Sequence, residues 1–266
     1  MSPLRTLARR FGYDLVPRGK SKDLAVQLDL LLKRAGISLV LDVGANLGQY
    51  ARRLRAQGYS GRIVSFEPLE KVHAELTSIA AADPRWEIAP RMALGAAGGE
   101  VTIEVSAEAD MSSILPQSEL LRAISPTSRI SGRESVRLER LDIVGKRYLH
   151  PDDRVFLKVD TQGYEAAVLD GAGALLPRLH DIQLELSLVP LYEGEDGFRA
   201  MLERMAKLGF EPHLILPGYF ERKLARQLQV DVVFMRGEPD PTGRSARQGA
   251  RPGGSAQISA GSSRST

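Results

Sequence analysis

Apolar positions in this chain fall at two spacings, and their order predicts the order of elements. Leu24, Leu28, Leu31 and Ala35 recur at helical spacing over residues 22–35, and Gly36 follows as a helix stop. Residues 38–43 (SLVLDV) then read as a short buried strand. A glycine-bearing turn at 44–48 leads into a helix with Leu47, Ala51 and Leu54 on one face, broken by Gly58 and Gly61. A second strand is expected at 63–66, a helix at 69–81 with Leu69, Val72, Leu76 and Ile79 aligned, and a third strand at 86–89. Strand-helix-strand-helix-strand implies a parallel sheet with right-handed crossovers.

The middle of the chain is less regular. Residues 100–105 alternate as a strand should, and 136–141 suggest another short one. Between them, 110–135 are polar, contain Pro116 and Pro126, and read as a long loop or lid. The rhythm then resumes with a strand at 155–159 (VFLKV), a helix at 164–176, a strand at 182–186 and a helix at 198–208. Strands at 211–216 and 230–235 close the pattern. The expected fold is α/β: a Rossmann-like sheet, mostly parallel with an antiparallel closing strand, and helices on both faces. The expected organisation is an N-terminal helical arm (1–35), a single core domain (36–236) and a disordered tail (237–266). That tail is rich in Gly, Ser, Arg and Pro, and it lacks the apolar groups that would offset ordering entropy.

Composition narrows the function. The 266 residues are 43% hydrophobic, enough for one sizeable core. A net charge of +3 is too small to imply nucleic acid. Much of it is peripheral, in Arg5, Arg9, Arg10, Arg18 and Lys20 and in Arg244, Arg247, Arg251 and Arg264. The basic segment 2–20 carries Leu4, Leu7, Ala8 and Phe11 at helical spacing. It reads either as a packing arm or as a weak contact with a membrane surface. There is no cysteine, so disulfides, thiolate metal sites and cysteine nucleophiles are excluded. No apolar run approaches the ~20 residues of a membrane span, and none follows the basic start as a secretory signal would. The expected location is the cytoplasm. No oligomeric state is specified.

The chemistry concentrates at 40–48, Val-Leu-Asp-Val-Gly-Ala-Asn-Leu-Gly. A strand ends in Asp42, a glycine turn follows, and a helix begins. Glycine lets backbone approach a ligand, and a helix start offers free N–H groups. A second acid, Glu67, ends the next strand in Phe66-Glu67-Pro68, where ligands bind in such sheets. A carboxylate there can accept both hydroxyls of a ribose. A dinucleotide site would need glycine where Asn46 stands, so that backbone could reach the pyrophosphate. S-adenosylmethionine has no phosphate and is the preferred cofactor. Gly44, Asn46, Gly48 and Glu67 are the candidate cofactor residues, beside the bland readings of a tight turn and a helix cap. Asp42 is expected to anchor the turn or orient the methionine end of the cofactor, with a plain cap as the alternative.

At these residues the chain resembles the FkbM-type methyltransferases, a class I S-adenosylmethionine-dependent group. The likeness spans roughly residues 36–236 and rests on separate blocks in family order: 41–50 (LDVGANLGQY), 66–68 (FEP), 93–95 (ALG), 138–143 (LERLDI), 156–165 (FLKVDTQGYE), 184–194 (LELSLVPLYEG) and 229–234 (QVDVVF). The resemblance implies O-methylation of a sugar, glycolipid or other natural product. Asp160, at the end of the fourth strand, is the candidate general base, or a group that orients the acceptor; a structural cap or cofactor contact is its alternative. Glu185, a carboxylate within an apolar strand, is the second catalytic candidate, unless alternation turns it to solvent. Tyr192 is a candidate acceptor contact or a buried loop aromatic. His73, His150, His180 and His213 read as surface or packing residues. No His/Asp/Glu set has metal spacing, and an ion held through Asp160 and Glu185 is the weaker alternative. Two rival functions stand: a nucleic-acid or amino-group methyltransferase, and a non-catalytic cofactor-binding protein. Against the former, no proline follows Asp160 in Asp160-Thr161-Gln162-Gly163-Tyr164, and the core lacks a basic, aromatic-rich face.

Overall fold

The computed structural model describes residues 24–107, 109–125 and 128–237. The basic lead-in at 2–20 and the expected tail beyond Gly237 lie outside these residues. In chain order the elements are α1 (Leu24–Ala35), β1 (Leu39–Val43), α2 (Gln49–Ala56), β2 (Arg62–Phe66), α3 (Glu70–Ala80), β3 (Trp86–Ile88), β4 (Ala93–Leu94) and β5 (Gly99–Ser106). There follow α4 (Glu119–Ile124), β6 (Ile130–Glu139), α5 (Leu141–Val144), β7 (Val155–Val159), α6 (Glu165–Gly171), β8 (Leu179–Ser187) and α7 (Phe198–Lys207). The last are β9 (Phe210–Pro217), β10 (Phe220–Glu221), β11 (Arg226–Gln227) and β12 (Gln229–Arg236).

Seven strands form one sheet in the order β3-β2-β1-β7-β8-β12-β9. β1, β2, β3, β7 and β8 run parallel, and β12 is antiparallel to both β8 and β9. This is the expected Rossmann-like sheet, mostly parallel with one antiparallel strand. Strand order reverses beside β1, where the chain crosses from the β1-β2-β3 half to β7, and ligands bind at such a switch point.

Both faces are covered, which is why the central strands read as continuous apolar runs. On one face Leu39, Leu41, Val43, Leu157 and Leu184 pack beneath Val168, Leu169, Met201 and Met205. On the other, Val40, Ile63 and Phe156 meet Leu28 and Leu32 of α1, Leu54 of α2 and Leu76 of α3.

The segment expected as a loop at 110–135 holds more structure than its composition suggested. It includes α4, with Ser118 as N-cap accepting from the Leu121 N–H. β6 starts at Ile130, six residues before the expected strand, and runs antiparallel to β5. With β4 these strands form a separate three-stranded sheet. Ile103 and Val136 are the only buried apolar residues of β5 and β6, so the apolar alternation that marks a strand is faint there. The helix expected at 164–176 ends at Gly171. Among the described residues no helix is long and apolar enough to cross a membrane.

Candidate active site

A cleft of about 350 Å³ opens at the carboxyl ends of β1, β2 and β7. Val43 ends β1, and the chain turns through Gly44 (φ 73°), Ala45 and Asn46 (φ 47°). Gly44 and Ala45 donate to the Phe66 carbonyl, both at 3.1 Å, which ties the turn to the end of β2. A Cβ on Gly44 would overlap the Asp160 carbonyl oxygen. The turn is therefore pressed against the loop after β7, and no other residue fits there.

Glu67 closes the turn from the β2 side. Its Oε2 accepts the Asn46 N–H at 2.8 Å and its Oε1 accepts the Leu69 N–H at 2.9 Å. Each oxygen keeps lone pairs, and the side chain lines the cleft. Glu67 is only 4% exposed. Burial raises its carboxyl from the ordinary 4.5 to about 7, against the pull of the Leu69 and Asn46 N–H groups. Asn46 also lines the cleft, and its Oδ1 is buried without a hydrogen-bond partner.

A polar row crosses the sheet just below this cleft. In register, Ser65 on β2 lies beside Asp42 on β1, Asp42 beside Lys158 on β7, and Lys158 beside Gln183 on β8. All four point to the face covered by α2. Ser65 Oγ donates to Asp42 Oδ2 at 3.1 Å and receives the Trp86 Nε1–H at 3.0 Å. Lys158 Nζ donates to the Gly44 carbonyl at 3.1 Å and sits 3.3 Å from Asp42 Oδ1 and 3.4 Å from Asp160 Oδ2. Burial alone would lower the Lys158 ammonium, but Asp160, Asp42 and Asp231 outweigh it and raise it above its usual range. Gln183 takes the Tyr50 hydroxyl at 2.8 Å and donates to Asp231 Oδ1 at 3.0 Å.

Asp160 stands at the cleft floor, 31% exposed, on the residue after β7. Gln162, with φ 55°, donates from Nε2 to Asp160 Oδ1 (2.9 Å) and to Glu185 Oε2 (2.6 Å). Glu185 therefore does not turn to solvent. It lies behind Asp160, half-buried, and burial followed by the charges of Asp160, Asp231 and Glu165 holds it well above the usual carboxylate range. Glu165 is buried at the start of α6, where it takes the Thr161 N–H at 2.7 Å. Burial raises its carboxyl to about 7.

One expectation needs correction, and two resolve to one of their alternatives, Asp42 to an anchor of the turn and Tyr192 to a buried aromatic. Gly48 does not line the cleft: at φ 73° it makes room for the Trp86 ring, which a Cβ would strike. Asp42 is fully buried under the turn, because strand alternation points it at α2, and it reaches the cleft only through Lys158. Tyr192 is 1% exposed, and its hydroxyl donates to Gln162 Oε1 at 2.8 Å, so it contacts the site from behind. By contrast Asp110, Ser112, Ser113 and Ile114 do line the cleft, as a segment folded over it would. Of the histidines, His73 bonds the Ala89 carbonyl, His180 the Val155 N–H and His213 the Glu211 carbonyl. Among the described residues no group of three or more His, Asp or Glu is placed to hold a metal ion. Lys158, Gln183, Asp231 and Tyr50 are site residues that the motifs did not single out.

The raised carboxyl of Glu67 makes stability fall with pH. Between about 4.5 and about 7 the native state binds more protons than the unfolded chain, so this contribution is present at low pH and is lost as pH rises. The shift corresponds to a loss on the order of 3 kcal/mol. Denaturant midpoints at about pH 5 and pH 8 check it. Wild type is expected to lose more stability over that interval than Glu67→Gln. Equal losses in the two proteins would show that Glu67 is ionised at little cost.

The family model for the methyltransferase FkbM domain matches residues 42–212. Among solved structures, fibrillarin of Aeropyrum pernix, determined with S-adenosylmethionine, is 12% identical with a TM-score of 0.45, covering 82% of this chain and 76% of that one. The 1,6-didemethyltoxoflavin-N1-methyltransferase of Burkholderia thailandensis is 12% identical, TM-score 0.43, covering 82% and 80%. The magnesium protoporphyrin IX methyltransferase of Synechocystis is 10% identical, TM-score 0.42, covering 89% and 86%. No curated protein sequence matches the chain.

Proposed function

Because the chain belongs to the methyltransferase FkbM family, whose members depend on S-adenosylmethionine, we propose that it methylates a hydroxyl oxygen of a sugar, glycolipid or other natural product. The observation that carries this reading is the Asp160 carboxylate at the floor of an acidic cleft, beside a glycine turn unsuited to phosphate. Asp110, Asp160, Asp231 and Glu67 line that cleft against one buried cation, Lys158, and one rim cation, Arg53. Such a charge balance favours a sulfonium and disfavours a pyrophosphate.

The residues present fit the cofactor. Glu67 has free lone pairs for a ribose diol, and the orphaned Oδ1 of Asn46 awaits a donor. When bound, S-adenosylmethionine supplies an activated methyl group. The chain supplies position and a proton sink. Asp160 accepts the acceptor's hydroxyl proton, and Lys158 at 3.4 Å steadies the carboxylate on its Oδ2 side. The segment with Ser112, Ser113 and Ile114 covers the cleft and helps exclude water. The acceptor is then a small molecule or glycolipid, reached in the cytoplasm, and not nucleic acid: the cations that line the cleft are the buried Lys158 and Arg53, too few for a phosphate-binding stripe.

Incubating the protein with methyl-labelled cofactor and a metabolite and lipid extract of a strain lacking the gene tests this directly. Label is expected in a compound that wild-type cells hold in methylated form, and the bond is expected to be an alkali-stable methyl ether. Label on nitrogen, or in RNA added to the same reaction, would overturn the hydroxyl assignment.

A further inference from the structure

Gln162 occupies a conformation that costs any residue with a Cβ, and four neighbours hold it there. Ser113 Oγ, from the segment over the cleft, donates to its carbonyl at 2.6 Å. The Tyr192 hydroxyl donates to its Oε1, which fixes the amide so that Nε2 faces the two carboxyls. Nε2 then bridges Asp160 Oδ1 and Glu185 Oε2. Gln229 Nε2, on β12, also donates to Glu185 Oε2 at 2.8 Å. With Oε2 accepting twice, a proton on Glu185 belongs on Oε1.

We propose that Gln162 is a positioning residue that clamps Asp160 and Glu185 into one proton-sharing pair, with Asp160 facing the acceptor and Glu185 behind it. This rests on the reading of Asp160 as proton acceptor. In that reading the hydroxyl O–H bond breaks, the proton passes to Asp160, and the electron pair stays on the oxygen that takes the methyl group. The charged groups around the pair are Lys158 and Asp42 from the sheet, Asp231 from β12 and Glu165 from α6; Tyr192 completes the shell beyond β8. Burial and these neighbouring acids raise Glu185, as two carboxyls sharing a site require. The clamp opposes that rise, because hydrogen bonds to the ionised form favour it.

The test is Gln162→Met, which keeps length and removes the amide. Its readout is the rate of label transfer from methyl-labelled cofactor into saturating extract of the deletion strain, followed across pH. The expected rate near neutrality is about 10- to 100-fold below wild type, the scale of a misplaced reacting group. Its rising limb is expected at higher pH, with activity recovering there, since a lost donor raises the pH at which the pair gives up its proton. Tyr192→Phe frees the amide to flip and is expected to move the limb the same way by less. Binding of S-adenosylhomocysteine should be unchanged in both. A wild-type profile in both variants, or a loss equal at every pH, overturns the clamp. If Gln162→Met does not fold, the Tyr192→Phe profile decides alone. Asp160→Asn in the same assay separates the failures. At wild-type rate it defeats the reading of Asp160; a crippled Asp160→Asn beside an unshifted Gln162→Met defeats only the clamp.

Discussion

Asp160→Asn is expected to leave the fold intact and to lower turnover at least ~100-fold, the low end for losing a general acid–base group. The substitution keeps the shape of the side chain. Gln162 Nε2 can still donate to the remaining oxygen, and Lys158 keeps Asp42 and the Gly44 carbonyl as partners. Asp160 is partly exposed, and Asp42 and Asp231 remain to hold the buried Lys158 ammonium, so the fold is expected to survive the loss of its charge. On the proposed role, what disappears is the sink for the acceptor's proton, and saturating acceptor cannot restore it. Turnover by label transfer and affinity for S-adenosylhomocysteine by calorimetry check the two halves. Weaker affinity with near-normal turnover would make Asp160 a cofactor contact, and wild-type behaviour in both would leave Glu185 as the leading base.

Gly44→Ala should have the largest effect on stability, at least about 3 kcal/mol. Two penalties coincide at this position. The backbone has φ 73°, where a Cβ is strained, and the added carbon would overlap the Asp160 carbonyl oxygen. That oxygen is backbone, so no rotamer change relieves the contact. The Asp160 N–H is bonded to the Val43 carbonyl at 3.1 Å, so yielding would part β1 from β7 at the cleft. Chemical denaturation checks the prediction. An unchanged midpoint would mean that the turn and the β7 loop are not packed as described. Against a total stability of about 5–15 kcal/mol for a typical domain, such a loss removes from about a fifth to more than half of it.

The sheet was legible in the sequence because each central strand is buried on both faces and each helix on one. The part of the cleft lined by Gly44, Asn46 and Glu67 was legible for a related reason: these residues sit at strand ends, where the chain must turn. Gly48 carried the same glycine signal for a packing reason, since sequence does not show that Trp86, thirty-eight positions on, fills the space above it. The polar row was open to view yet went unused. Ser65, Asp42, Lys158 and Gln183 are each a polar residue inside an apolar strand, a costly placement that predicts partners. Which residues partner which depends on strand register, and that is set by tertiary structure. Gln162 was hidden for another reason. Its position after Asp160 was plain, but its conformation is imposed by Ser113 and Tyr192, forty-nine and thirty residues away. The β5–β6 sheet gave a weak signal because so little of it is buried.

The cleft's identity as a sulfonium site is tested most directly by calorimetric titration of the wild-type protein. S-adenosylmethionine, S-adenosylhomocysteine and NAD would each be added separately under the same conditions. The acidic cleft, the free lone pairs of Glu67 and the side chain of Asn46 in the turn predict one-to-one binding of the first two and no heat from the third. Tight binding of NAD with no response to either sulfur ligand would contradict it.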